Sequence, residues 1–135
     1  MNLPSLPQDA KIEAVTLLVK SGKEPSPKNL VAESRKKKHP LHDFFWSVPE
    51  STWAEVGRYE GARRILQTTK VDLSIGGKSI NTRAVEFCRD DDGGRWASIQ
   101  DIVASDELRR GYMVEVNRLL TSAQEKMARL IELTD

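Results

Sequence analysis

From Asp106 to about Leu133 the chain contains no proline and only one glycine, Gly111. A run of that length without breakers predicts one continuous helix rather than several short elements. Met113, Val116, Leu120, Ala123, Met127 and Leu130 recur along it at alternating steps of three and four, with Leu119 and Ile131 beside them. That spacing makes an apolar seam on one side of a helix. At the helical rise the segment would be roughly 42 Å long, more than the single core expected of 135 residues can cover. Part of the seam is therefore expected to meet a second surface, either another copy of the chain or a protein partner, and these six residues are the candidate oligomerisation surface.

The rest of the sequence divides around this element. Residues 1–9, with Pro4 and Pro7, read as a flexible arm. Residues 10–104 read as a core of helices and a β-hairpin, and residues 105–135 as the terminal helix. In the core, Ile12, Val15, Leu18 and Val19 predict a first helix stopped near Gly22. Ser26 and Pro27 have the order of a cap and first position for a second, carrying Leu30, Val31 and Ser34 and running into Arg35–His39 before Pro40. An aromatic stretch, Leu41–Trp46, follows as a short helical turn. Thr52 and Glu55 have capping-box spacing, so a third helix is expected with Val56, Tyr59, Ala62, Ile65 and Leu66 inward.

At Lys70 the period changes to two: Val71, Leu73 and Ile75 alternate with Asp72 and Ser74, then Gly76-Gly77 supplies a turn. Asn81, Arg83, Val85 and Phe87 form the expected return strand, with an edge strand near Arg95–Ala97. Ser98 and Asp101 predict a short helix, and Ser105 caps the long one. The fold class is α+β: a mostly helical N-terminal module, a central β-hairpin resembling a winged helix-turn-helix, and a long C-terminal helix.

The charge is unevenly spread. Residues 1–70 hold 12 Lys or Arg against 8 Asp or Glu, whereas residues 71–135 hold 9 against 12. A modest basic excess suits phosphate contacts, so double-stranded DNA is the expected polyanion partner. The candidate nucleic-acid-binding residues are Arg35, Lys36, Lys37 and Lys38 after the second helix, Arg58, Arg63 and Arg64 on the third, and Lys78 at the hairpin tip. The basic run also has a local reason, since cations favour a helix C-terminus.

Other chemistries lack their patterns. Cys88 is the only cysteine, which excludes an internal disulfide and a thiolate-rich metal site within one chain. His39, His42 and Asp43 do not form H-E-x-x-H. Asp90–Gly94 lacks the twelve-residue plan of an EF-hand, and Gly76-Gly77-Lys78-Ser79 lacks the leading glycine of a P-loop because Asp72 stands in that position. Trp46, Trp53 and Trp96 are expected in the core. No enzyme activity, cofactor or metal is expected, and no apolar run is long enough for membrane insertion.

Pro40-Leu41-His42-Asp43-Phe44-Phe45-Trp46 and Tyr59-Glu60-Gly61-Ala62-Arg63-Arg64-Ile65-Leu66 resemble a group of small bacteriophage and prophage proteins over residues 25–104. Those proteins tend to carry an acidic residue or His where Phe45 stands, and a less basic segment at Arg35–Lys38. The resemblance implies a phage or prophage origin, and with it a cytoplasmic place in an infected or prophage-bearing bacterial cell or association with the virion. It implies no catalytic residues.

Overall fold

The computed structural model describes residues 6–53, 57–90 and 92–134. Helix α1 (Gln8–Lys20) buries Ala14, Val15 and Leu18, while Ile12 and Val19 pack at the edge of the same core. Gln8 and Asp9, assigned from sequence to the arm, are its first turn, and Leu6 already packs on the core. In α2 (Pro27–Glu33) the Ser26 hydroxyl accepts the Asn29 N–H at 3.2 Å, and Pro27 takes a position whose N–H would be unpaired anyway. Leu30 and Val31 point inward.

The basic run is not helical, contrary to the sequence reading. α2 ends at Glu33, and residues 35–40 follow as turns. Buried Ser34 gives the physical reason. Its hydroxyl donates back to the Val31 carbonyl at 2.6 Å and accepts the Trp46 indole N–H at 2.9 Å, while His42 Nδ1 lies 2.9 Å from its carbonyl oxygen. That carbonyl is thereby tied to the next element rather than to another helical turn.

Next come α3 (His42–Trp46), a 3-10 turn (Glu50–Trp53) and α4 (Arg58–Thr68). The expected helix start at Thr52 is replaced by the 3-10 turn, and α4 begins only after Gly57. Glu55 and Val56 lie outside the described residues. Ala62, Ile65 and Leu66 are buried as expected, but Tyr59 is 57% exposed. The volume in front of this end of α4 is already filled: Phe45 and Trp53 sit 5.3 Å apart and press on Gly61, where a Cβ would lie 3.0 Å from the Trp53 ring. The side chain of Tyr59 is left outside.

Strands β1 (Lys70–Ile75) and β2 (Lys78–Arg83) form an antiparallel ribbon closed at Ile75–Lys78, with Gly76 and Gly77 at φ +58° and +78° in the turn. Positive φ at both central residues matches the right-handed twist of the flanking strands. The single expected return strand is in fact two. The ribbon stops at Arg83, and β3 (Val85–Cys88) pairs instead with β4 (Arg95–Ser98), so Arg95–Ala97 belongs to a second ribbon and is not an added edge of the first. The joint is Ala84, whose carbonyl accepts the Ile99 N–H at 2.9 Å. Ala84 and Val85 are adjacent and both buried, which interrupts the in–out alternation.

Ser98 caps α5 (Ile99–Ala104) through the Asp101 N–H at 3.2 Å, and Ser105 does the same for α6 (Asp106–Thr134) through Leu108. A small second core of Cys88, Ala97, Ile102 and Leu108 joins α5 and α6 to the second ribbon. The result is an α+β chain of N-terminal helices, two small ribbons and a long terminal helix. Among the described residues no helix is long and apolar enough to cross a membrane.

Candidate interaction surfaces

The first turns of α6 are tied to the body. The Arg89 N–H donates to the Gly111 carbonyl at 3.1 Å, and a Cβ on Gly111 would collide with the Arg89 carbonyl. One turn further on, Glu115 accepts from Arg89 Nε at 2.7 Å and from Arg118 at 2.5 Å. The two guanidinium groups, Arg118 the more strongly, hold its carboxyl down to about 2.

Beyond Leu119 the contacts with the body end among the described residues. Leu120, Met127, Leu130 and Ile131 are each more than half exposed, and Leu133 is 78% exposed. Of the six seam residues, Val116 alone is half-buried; Met113, Leu120, Ala123, Met127 and Leu130 are open. Arg118, Glu125, Arg129 and Glu132 occupy the opposite side by helical spacing, so the helix is amphipathic over its whole length although the body covers only its beginning.

Where α6 leaves the body there is a cleft of about 470 Å³ between α4, the second ribbon and α6. Phe87, Trp96, Tyr112 and Val116 contribute its apolar walls, and Arg63, Arg83, Arg89 and Arg118 its basic rim. Phe87 and Trp96 meet edge to face at 5.7 Å. Glu86, in the same cleft, is half-buried, and burial pushes its carboxyl upward while Arg83, 3.9 Å away, pulls it down. Sequence reasoning missed this cleft because its residues come from five separated elements; only the basic and aromatic content of each was visible.

The eight candidate nucleic-acid contacts do not form one set. Arg35 and Arg58 are brought together on the Trp46 ring, their guanidinium carbons 4.2 and 4.0 Å from its centroid. Arg58 is further held by Glu50 through both terminal nitrogens and by the Phe45 carbonyl at 2.9 Å. Arg63 and Arg64 share Glu60, at 2.8 and 3.6 Å. Lys36, Lys37 and Lys38 are exposed on their turn without a carboxylate within salt-bridge reach among the described residues, and Lys78 projects at the tip of the first ribbon.

His39 and His42 serve local structure. His39 Nδ1 accepts the Leu41 N–H at 3.1 Å, and burial, the largest influence on it, lowers the pKa of the ring. Cys88 is buried and its thiol is pushed up, chiefly by burial. Among the described residues no three His, Cys, Asp or Glu side chains converge as a metal site would require. No family model, curated protein or solved structure matches the chain.

Proposed function

We propose that the chain is a non-enzymatic assembly protein of phage or prophage origin, which joins copies of itself through α6 and presents the basic turn at Arg35–Lys38 to nucleic acid. The observation that carries the reading is the open apolar side of α6 beyond Leu119. An amphipathic helix of about four turns standing in water is marginal by itself, because most helical stability in proteins comes from packing the apolar side. Covering that side supplies the missing packing.

The nucleic-acid half of the proposal rests on Lys36, Lys37 and Lys38, which are exposed and have no carboxylate within salt-bridge reach among the described residues. Their mechanism is electrostatic docking on the phosphate backbone with release of counterions, which gives affinity without reading base sequence. α4 followed directly by the first ribbon has the order of a winged helix-turn-helix, with Arg63 and Arg64 on the outer side of the helix and Lys78 at the wing tip. Arg58 contributes to folding in this reading, because Glu50, Phe45 and Trp46 already hold it.

The test is a pair of measurements on the full chain: light scattering over a concentration series, and duplex-DNA binding by fluorescence anisotropy over a salt series. Association together with affinity that falls steeply with salt supports the proposal. A monomer at all concentrations removes the assembly role, and no binding at low salt removes the DNA role. Association without DNA affinity leaves the second reading, an adaptor working only through protein contacts, which the exposed apolar helix favours.

A further inference from the structure

We infer that α6 pairs antiparallel with α6 of a second copy, about a two-fold axis between Leu120 and Ala123, so that the tail of each helix lies along the cleft at the base of the other. The inference rests on the self-association proposed above and adds its orientation, its register and the surface that receives the tail.

The area argues for a second copy as the occupant. Leu119, Leu120, Met127, Leu130, Ile131 and Leu133 are all more than half exposed, as is Met113 at the near end. At on the order of 100 Å² each, they offer roughly 700 Å² per copy, close to the about 800 Å² per partner of a stable interface. No smaller patch on the described surface has to be recruited, and the interface is made by one surface meeting itself, as a two-fold requires.

Side-chain volume argues for the antiparallel direction. About the proposed axis the seam pairs Met113 with Leu130, Val116 with Met127 and Leu120 with Ala123 of the other copy. The one small seam residue is then filled by a large one in every layer where it occurs. A parallel pair would put Ala123 against Ala123 and leave a thin layer in the middle of the interface, a void of the kind that costs stability. Opposed helix dipoles add a small term in the same direction.

The ends of the helix argue for it independently. By helical spacing Leu130 and Leu133 lie on the same side of α6 as Leu119 and Tyr112, the side turned to the body. Leu133 is the most exposed large apolar side chain described, and nothing among the described residues covers it. In the antiparallel register it passes residue 110 of the other copy, beside the cleft walled by Phe87, Trp96 and Tyr112. A parallel pair leaves that cleft open and gives Leu133 only the frayed end of its twin. Charge does not obstruct the arrangement, because Glu125, Arg129 and Glu132 face away and Lys126, on the Leu119 flank, passes the part of the cleft rim where Glu115 stands beside Arg118.

The experiment combines light scattering with spin-label distance measurements on full-length protein. Thr134→Cys and Arg110→Cys are introduced singly at outward or terminal positions; buried Cys88 stays in place. The expected result is a dimer in which two labels at residue 134 are roughly 37 Å apart from the helical rise alone, while a label at 134 on one copy and at 110 on the other fall within about 15 Å. Leu133→Lys, which brings a cation to the basic rim of the cleft, is expected to weaken the dimer at least tenfold, while thermal unfolding of the body at monomer concentrations stays at the parent's value. A monomer overturns both this inference and the self-association beneath it, leaving the apolar side to a different protein. A dimer whose 134 labels lie close together overturns only the antiparallel pairing, and a larger oligomer showing both distances overturns the two-chain arrangement.

Discussion

The two halves of α6 share one apolar spacing and have opposite situations in the molecule. From Leu108 to Val116 the helix is fixed by a buried leucine, a glycine pressed on the Arg89 carbonyl and a glutamate between two arginines. From Leu120 to Thr134 it has the same apolar spacing and, among the described residues, no tertiary partner. The difference teaches that helical pattern reports where a surface is wanted and not whether the chain itself supplies it. The near half finds its surface in the second ribbon, and the far half needs one from outside.

Breaking the near half should produce the largest effect. Gly111→Val forces a side chain into backbone that has no room to retreat, so α6 must shift away from β3. Thermal unfolding is expected to show a loss of about 2–3 kcal/mol, the upper range of overpacking. An unchanged transition would mean that α6 is not seated on Arg89 as described.

A contrast with the far half sharpens the comparison. Leu120→Asp is expected to leave body unfolding within about 0.5 kcal/mol of the parent, as for a surface position, when measured at concentrations where the chain is monomeric. Association measured by sedimentation should nevertheless fall by an order of magnitude or more. If the same substitution destabilises the isolated chain strongly, the far half is covered internally.

Acid should loosen the near half in a defined window. Glu115 is held at about 2, below its ordinary 4.5, so its contribution is complete above that ordinary value and disappears as the pH falls toward 2. Both arginines that hold it are about half exposed, and the contribution is therefore small, ~0.5–1 kcal/mol after screening. Denaturant midpoints of the parent and Glu115→Gln should converge below pH 3 and separate above pH 5; parallel curves throughout would show that the pairs contribute nothing. The smallest expected change is in DNA binding. Lys37→Ala should lower the salt slope by about one phosphate contact and shift affinity uniformly across duplex sequences, and an unaltered slope would place the phosphate contacts elsewhere.

Much of the architecture was legible because it is local. Ser26, Ser98 and Ser105 precede apolar periods and do cap helices, and the breaker-free run after Ser105 is one helix. The end of α2 at Glu33 and the start of α4 escaped because tertiary contacts outweighed a local pattern. The start of α4 moved to Gly57 because Glu50, Phe45 and Trp46 hold Arg58 against the preceding turn. The break at Ala84 was hidden because alanine is neither turn residue nor polar marker, and residues 81–87 keep their alternation to the eye. The basic turn could be read because it is contiguous; the cleft could not, since residues 63, 83, 89 and 118 meet only after folding.

Ala84 also separates what can change length from what cannot. The second ribbon is locked to α5 and α6, whereas the first ends at this joint and is exposed along most of β2. Residues added in facing pairs on either side of Gly76-Gly77 would extend the first ribbon outward while preserving which side each strand residue faces. The reach at Lys78 can therefore be changed without any adjustment in the helices, and a grafted loop at that tip would be carried on an arm whose base stays fixed.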